Sequence, residues 1–88
     1  MTEVEKAWVG AMVEAEGYVG FYNGRWRIGV GNTDPEIISA ILRATGVGLV
    51  SIQKGTNKPI IHWSSQRYND VINLSNQLKD YCMKVRKI

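Results

Sequence analysis

Apolar and polar positions along the chain change period four times, and each change marks a new kind of element. Over residues 3–16 the apolar positions follow helical spacing. Val9, Met12 and Val13 form one stripe; Trp8, Ala11 and Ala15 form a second. Thr2 and Glu5 stand three apart at the start, the signature of a capping box in which each side chain satisfies a free amide of the first turn. Gly17 is a natural stop. Residues 7–16 are nearly all apolar or small, which implies a helix buried on more than one side.

The period then drops to two. Asn23-Gly24 is the preferred centre of a type I′ turn, so Tyr22 pairs with Arg25 and the register runs outward through Phe21–Trp26, Gly20–Arg27, Val19–Ile28 and Tyr18–Gly29. One face of this hairpin is apolar; the other is aromatic, basic and otherwise bare. Residues 32–36, Asn-Thr-Asp-Pro-Glu, end the strand and open a second helix, with Thr33 or Asp34 to cap and Pro35 in the first turn. Ile37, Ile38, Ile41 and Leu42 carry its apolar side, and Gly46 closes it. A second hairpin is expected over residues 49–54 and 60–63, around a loop at Gly55-Thr56-Asn57-Lys58. Alternation turns Val50, Ile52, Ile61 and Trp63 inward and Leu49, Ser51, Gln53, Ile60 and His62 outward. A last helix is expected over residues 65–82, with Tyr68, Val71, Ile72, Leu78 and Cys82 on one side. The prediction is an α+β fold of order helix-hairpin-helix-hairpin-helix (αββαββα), a four-stranded antiparallel sheet with helices on one face. Residues 1–88 form one domain, without repeat or linker.

Composition narrows what such a domain can be. At 88 residues the chain is small, and a domain of this size buries little more than ~60% of its unfolded surface. Disulfides, metals or a partner subunit commonly add stability at this size. Cys82 is the sole cysteine and His62 the sole histidine, which excludes an internal disulfide and argues against structural zinc. Association with another subunit is the remaining route. A net charge of +3 suits nucleic acid and equally an ordinary basic soluble domain. The longest apolar run is too short for a bilayer, and Glu3 and Glu5 have the wrong sign for a targeting peptide. The expectation is a soluble intracellular protein of the cytoplasm, nucleoid or organelle, with no membrane partner and no small-molecule cofactor.

The first helix carries a more specific signal. Trp8-Val9-Gly10-Ala11-Met12-Val13-Glu14-Ala15-Glu16-Gly17 resembles the motif that names the LAGLIDADG homing endonucleases, in a variant with a leading Trp and a Glu as the final acid. The likeness continues through the hairpin, residues 32–36, Gly46-Val47-Gly48 and the Lys58-Pro59 entry to a Trp-containing strand. It covers nearly the whole chain in order. One departure is Ala11, where many members carry Gly.

The resemblance implies a single-motif subunit working as a homodimer. Two first helices would pack across a two-fold axis through Trp8, Ala11 and Ala15, and the second apolar stripe is what such packing needs. Glu16 would then reach the DNA minor groove as a metal ligand, with the Ala15 carbonyl beside it. Carboxylate and carbonyl oxygens suit Mg²⁺, with Ca²⁺ or Mn²⁺ able to substitute for binding. Asn32 falls where members often order the attacking water, although it could equally cap a helix. The family's basic catalytic residue lies just beyond the last helix; strict register puts Val85 there, so Lys84 serves if the register slips by one, with Arg86 and Lys87 nearby. Double-stranded DNA would lie along the outward strand faces, read by Tyr18, Tyr22, Arg25, Arg27, Ser51, Gln53, Ile60 and His62, while Lys54 and Lys58 touch phosphates. Any one of these could be a solvated strand residue; exposed Leu49 and Ile60 favour the set. The implied activity is site-specific, Mg²⁺-dependent cutting of a long near-palindromic site that starts intron or intein mobility. The alternative is the same fold as a non-cleaving DNA-binding module or an RNA-splicing maturase.

Overall fold

The computed structural model describes residues 1–54 and 57–88, so the loop expected at residues 55–58 lies partly outside it. Helix α1 (Glu3–Glu16) opens on the expected capping box: Thr2 Oγ1 accepts from the Glu5 amide at 3.1 Å, and Glu5 Oε1 accepts from the Thr2 amide at 2.8 Å. It ends at Gly17 by an unexpected geometry. Gly17 has an extended backbone with φ −100° and enters strand β1 (Gly17–Tyr22) directly. A Cβ there would lie 2.6 Å from the Gly29 carbonyl oxygen and 2.8 Å from Val13 Cα. Close approach of three backbone segments, not a left-handed turn, requires the glycine.

Strands β1 and β2 (Arg25–Asn32) pair in the expected register, from Tyr22–Arg25 to Tyr18–Gly29. Asn23 and Gly24 both have positive φ, 51° and 78°, as a type I′ turn demands. Helix α2 (Pro35–Thr45) is capped by Asp34, whose Oδ1 accepts from the Glu36 amide at 2.9 Å, and closes on left-handed Gly46. Strands β3 (Leu49–Gln53) and β4 (Ile60–Ser65) complete an antiparallel sheet of order β1-β2-β4-β3. Three helices pack on one side of it, around Val13, Ile28, Ile41, Trp63, Leu74 and Leu78. The Trp63 indole donates to the Val47 carbonyl at 2.9 Å. A Cβ at Gly48 would collide with that ring, so the Gly-Val-Gly connection follows the shape of the indole.

Three expectations need correction. The last helix, α3, spans Tyr68–Leu78 rather than residues 65–82. Ser64 and Ser65 remain in β4 because Gly29 and Ile28 lie opposite as ladder partners. Tyr68 is 74% exposed and not on the buried side; Val71, Leu74 and Leu78 form that side. After α3 the chain turns, buries Cys82, and forms a 3₁₀ helix (Lys84–Lys87) that seats Val85 in the core. Val50 and Ile52 share a face with Trp63 and Ile61 as alternation requires, yet they stay 44% and 66% exposed. The helical layer does not cover the β3 edge.

Candidate active site and nucleic-acid interface

Glu16 and Asn32 meet where α1 ends, and Lys84 reaches the backbone of the next residue, Gly17. Asn32 is the last residue of β2, and its side chain is oriented from both ends. Its Oδ1 accepts from the Asp34 amide at 2.8 Å, and its Nδ2 donates to Glu16 Oε2 at 2.9 Å. Asp34 is the residue that caps α2; Asn32 braces the turn before it and holds the Glu16 carboxylate. Lys84 arrives from the opposite end of the chain and donates from Nζ to the Gly17 carbonyl at 3.0 Å. Val85 is buried, and the Arg86 guanidinium is turned away, donating from Nε to the Lys79 carbonyl at 2.9 Å. Of the basic residues in that segment, Lys84 is the one bonded beside Glu16.

A residue to which the sequence assigned no role, Glu14, meets the tail that carries Lys84. Glu14 Oε1 accepts from the Met83 amide at 2.7 Å and from the Lys84 amide at 3.2 Å. The Lys84 amide, helped by the Met83 amide and the Cys82 thiol, lowers the Glu14 carboxyl pKa despite some desolvation. Its partners lie about 70 positions away in sequence, beyond the reach of local pattern. The one available signal was a second acid within residues 7–16, which are otherwise apolar or small.

The open face of the sheet has a floor of rings laid on glycines. A Cβ at Gly20 would strike the Tyr22 ring, at Gly29 the Tyr18 ring, and at Gly31 the His62 ring. Tyr18 lies 6.4 Å from Tyr22 and 6.1 Å from His62, centroid to centroid, and the Arg27 guanidinium sits 5.4 Å over Tyr22. Arg27 is half-buried and donates from Nη2 to Gln66 Oε1 at 3.1 Å; it is braced rather than free. Arg25, Ser51, Gln53, Lys54, Lys58 and Ile60 are exposed. On the opposite side of the molecule, Val4, Trp8, Ala11 and Ala15 form an exposed stripe along α1. Gly10 faces inward instead, where a Cβ would meet Tyr81 Cβ at 2.6 Å.

No family model and no curated protein matches the sequence. Solved structures do match. The homing endonuclease I-CvuI superimposes with a TM-score of 0.70 at 14% identity, over 96% of this chain and 62% of its own, both with its own target in Ca and with the I-CreI target in Mg, where the DNA is not cleaved. The LAGLIDADG meganuclease I-AabMI, bound to uncleaved DNA, superimposes with a TM-score of 0.67 at 16% identity, over 86% of this chain and 29% of its own. The chain has the LAGLIDADG endonuclease fold. It spans about three fifths of the I-CvuI chain.

In this LAGLIDADG fold the metal question turns on the donor set. Glu16 is exposed and carries a carboxylate; the carbonyls past Val13 have run out of helical donors. These are hard oxygen ligands of the kind Mg²⁺ and Ca²⁺ take. Among the described residues, no three His, Cys, Asp or Glu side chains gather as a metal cluster. One chain alone would therefore offer only part of a coordination shell, and a divalent cation would need further oxygens from DNA, water or a second copy. None of the helices among the described residues is long and apolar enough to cross a membrane.

Proposed function

We propose that the chain is a subunit of a homodimeric, divalent-metal-dependent DNA endonuclease that recognises a long, near-palindromic site. The observation that carries the reading is the bond from Asn32 to Glu16 at the end of α1, with Lys84 bonded to the carbonyl of the next residue, Gly17. A carboxylate, a side-chain amide and an ammonium are the groups that phosphodiester hydrolysis uses to hold a metal, order water and offset charge on the phosphate. Glu16, with the Ala15 carbonyl, would hold Mg²⁺. Bound there, the cation supplies Lewis acidity and lowers the pKa of water. Asn32 keeps the carboxylate facing the site, and Lys84 places a fixed positive charge beside it.

The rest of the molecule is arranged to suit. The stripe of Val4, Trp8, Ala11 and Ala15 repeats at intervals of four, three and four, the spacing of a helix seam. Alanine at two of these positions lets backbones approach closely. Pairing two copies through α1 would bring two Glu16 carboxylates near the two-fold axis and so double the oxygen ligands. The ring-floored sheet face, with Arg25, Arg27, Gln53 and His62, would follow the major groove on each side, and Lys54 and Lys58 would meet phosphates.

The test begins with a duplex selected from a randomised library in Ca²⁺. On that duplex the parent is expected to cut both strands in Mg²⁺. Glu16→Gln is expected to bind as tightly as the parent, or more tightly, and not to cut. Cleavage at the parental rate by Glu16→Gln would remove Glu16 as a metal ligand. Tight binding by the parent without cleavage in any divalent metal would leave a DNA-binding module.

A further inference from the structure

We propose that Glu14 is the positioning residue for Lys84, fixing the ammonium beside Glu16 by gripping the backbone from which Lys84 grows. The inference rests on the reading of the α1 terminus as a nuclease site, and adds to it a residue two positions before the metal ligand. Residues two apart on a helix point about 200° away from each other, so Glu14 and Glu16 serve different neighbours. Glu16 meets Asn32, whereas Glu14 meets the chain that follows α3.

The grip has a simple chemical basis. The 3₁₀ helix Lys84–Lys87 has no side-chain cap of its own, so its leading amides need an acceptor. Glu14 Oε1 accepts two consecutive amides, Met83 at 2.7 Å and Lys84 at 3.2 Å. Charged acceptors make the shorter and stronger bonds of this kind. The far side of the segment is fixed as well: Val85 is buried, and Ser75 Oγ donates to its carbonyl at 3.1 Å. Held from α1 at residues 83–84 and from α3 at residue 85, the backbone starts Lys84 within reach of the Gly17 carbonyl, to which its Nζ donates at 3.0 Å. A lysine stem is flexible, and without a fixed origin its ammonium would sample many positions. Glu14 need not touch DNA or metal for this role.

Three variants of the full chain test it: Glu14→Ala removes the acceptor, Glu14→Gln keeps an acceptor oxygen without charge, and Lys84→Met removes the ammonium. The first readout needs no DNA. In the parent, NOEs between the Lys84 ε-methylene and Gly17 are expected; Glu14→Ala should lose them and Glu14→Gln should recover them. The second is single-turnover cleavage of the selected duplex. Glu14→Ala should slow the chemical step about tenfold or more with the dissociation constant nearly unchanged, and Glu14→Gln should recover most of that loss. Residues acting as one unit are non-additive, so Glu14→Ala combined with Lys84→Met should be no slower than Lys84→Met alone. If Glu14→Ala does not fold, Glu14→Asp takes its place, one methylene too short to reach both amides. NOEs that persist in Glu14→Ala, or in Glu14→Asp, overturn the proposal whether or not the protein cuts DNA, and so does a double variant slowed by the product of the two single effects. Loss of the NOEs in a protein whose parent never cleaves keeps the positioning and removes the nuclease reading alone.

Discussion

Gly17 shows how much one side chain's absence can decide. The α1 helix, β1 and the Gly29 carbonyl of β2 converge on its α-carbon with no space for a methyl group. Gly17→Ala must push backbone, not a flexible side-chain tip, so it is expected to destabilise the fold by roughly 1–3 kcal/mol, the range for overpacked sites. Urea unfolding checks this; an unchanged midpoint would mean the helix–strand junction yields freely. The sequence marked Gly17 as a helix stop, which it is, but the reason was hidden because the Gly29 carbonyl reaches it only through strand pairing, although Val13 lies in the motif itself. Arg27 is a second case. Alternation placed it correctly on the open face, in the same hairpin as Tyr22, while its bond to Gln66 depends on a strand end that pattern did not locate. A braced guanidinium has few orientations, which favours base reading over a general phosphate contact. Arg27→Gln is therefore expected to relax preference at one position in each half-site, by roughly 1–3 kcal/mol for a bidentate contact. Competition binding against single-position duplex variants measures it; an equal loss on every sequence would identify a phosphate contact.

The elements that local chemistry determines were legible. The capping box, the Asn23-Gly24 turn with its five outward pairs, and the Asp34-Pro35 start of α2 all follow from residues within a few positions of one another. The end of β4 and the start of α3 were not. The last helix was expected to start at Ser65, but Ile28 lies opposite that residue in the sheet, and α3 starts after Arg67 with no side-chain bond at its cap. The 3₁₀ helix is too short to show a period. Long-range bonds accepted by carboxylates join this tail to α1: Glu14 accepts from the amides of residues 83–84, and Glu3 Oε2 accepts from the Tyr81 hydroxyl at 2.5 Å. Tyr81 lowers the Glu3 pKa, and the Lys84 amide lowers that of Glu14. A carboxyl whose folded pKa is depressed contributes stability that is present above its unfolded value and lost as pH falls through the folded value. The urea midpoint should thus hold steady from neutral pH down to about 4.5, the ordinary Glu value, and fall below it. Glu14→Gln should flatten part of that acid decline. A decline of parental steepness in the variant would mean that Glu14 and the tail are not energetically linked.

At the scale of the whole molecule, the two large surfaces have different needs. The α1 stripe is apolar, and Trp8 remains 37% exposed on it; the sheet face is basic and aromatic. Sedimentation is expected to show a concentration-dependent dimer, and Ala11→Leu, which holds two helices apart, should give monomer. A parent that stays monomeric at every concentration would remove the pairing. The fold class, the strand faces and the nearness of Asn32 to Glu16 were readable because each rests on periodicity or on a contiguous motif. What joins Lys84 and Glu14 was not, because it depends on how a short tail crosses a helix. The ring-covered glycines bear on redesign. Tyr22 rests on Gly20, Tyr18 on Gly29 and His62 on Gly31, so replacing any one of these glycines lifts an aromatic ring belonging to another position. Changing the readout of this surface one residue at a time would therefore disturb its neighbours, and a library that varies rings and glycines together is the unit in which new specificities should be sought.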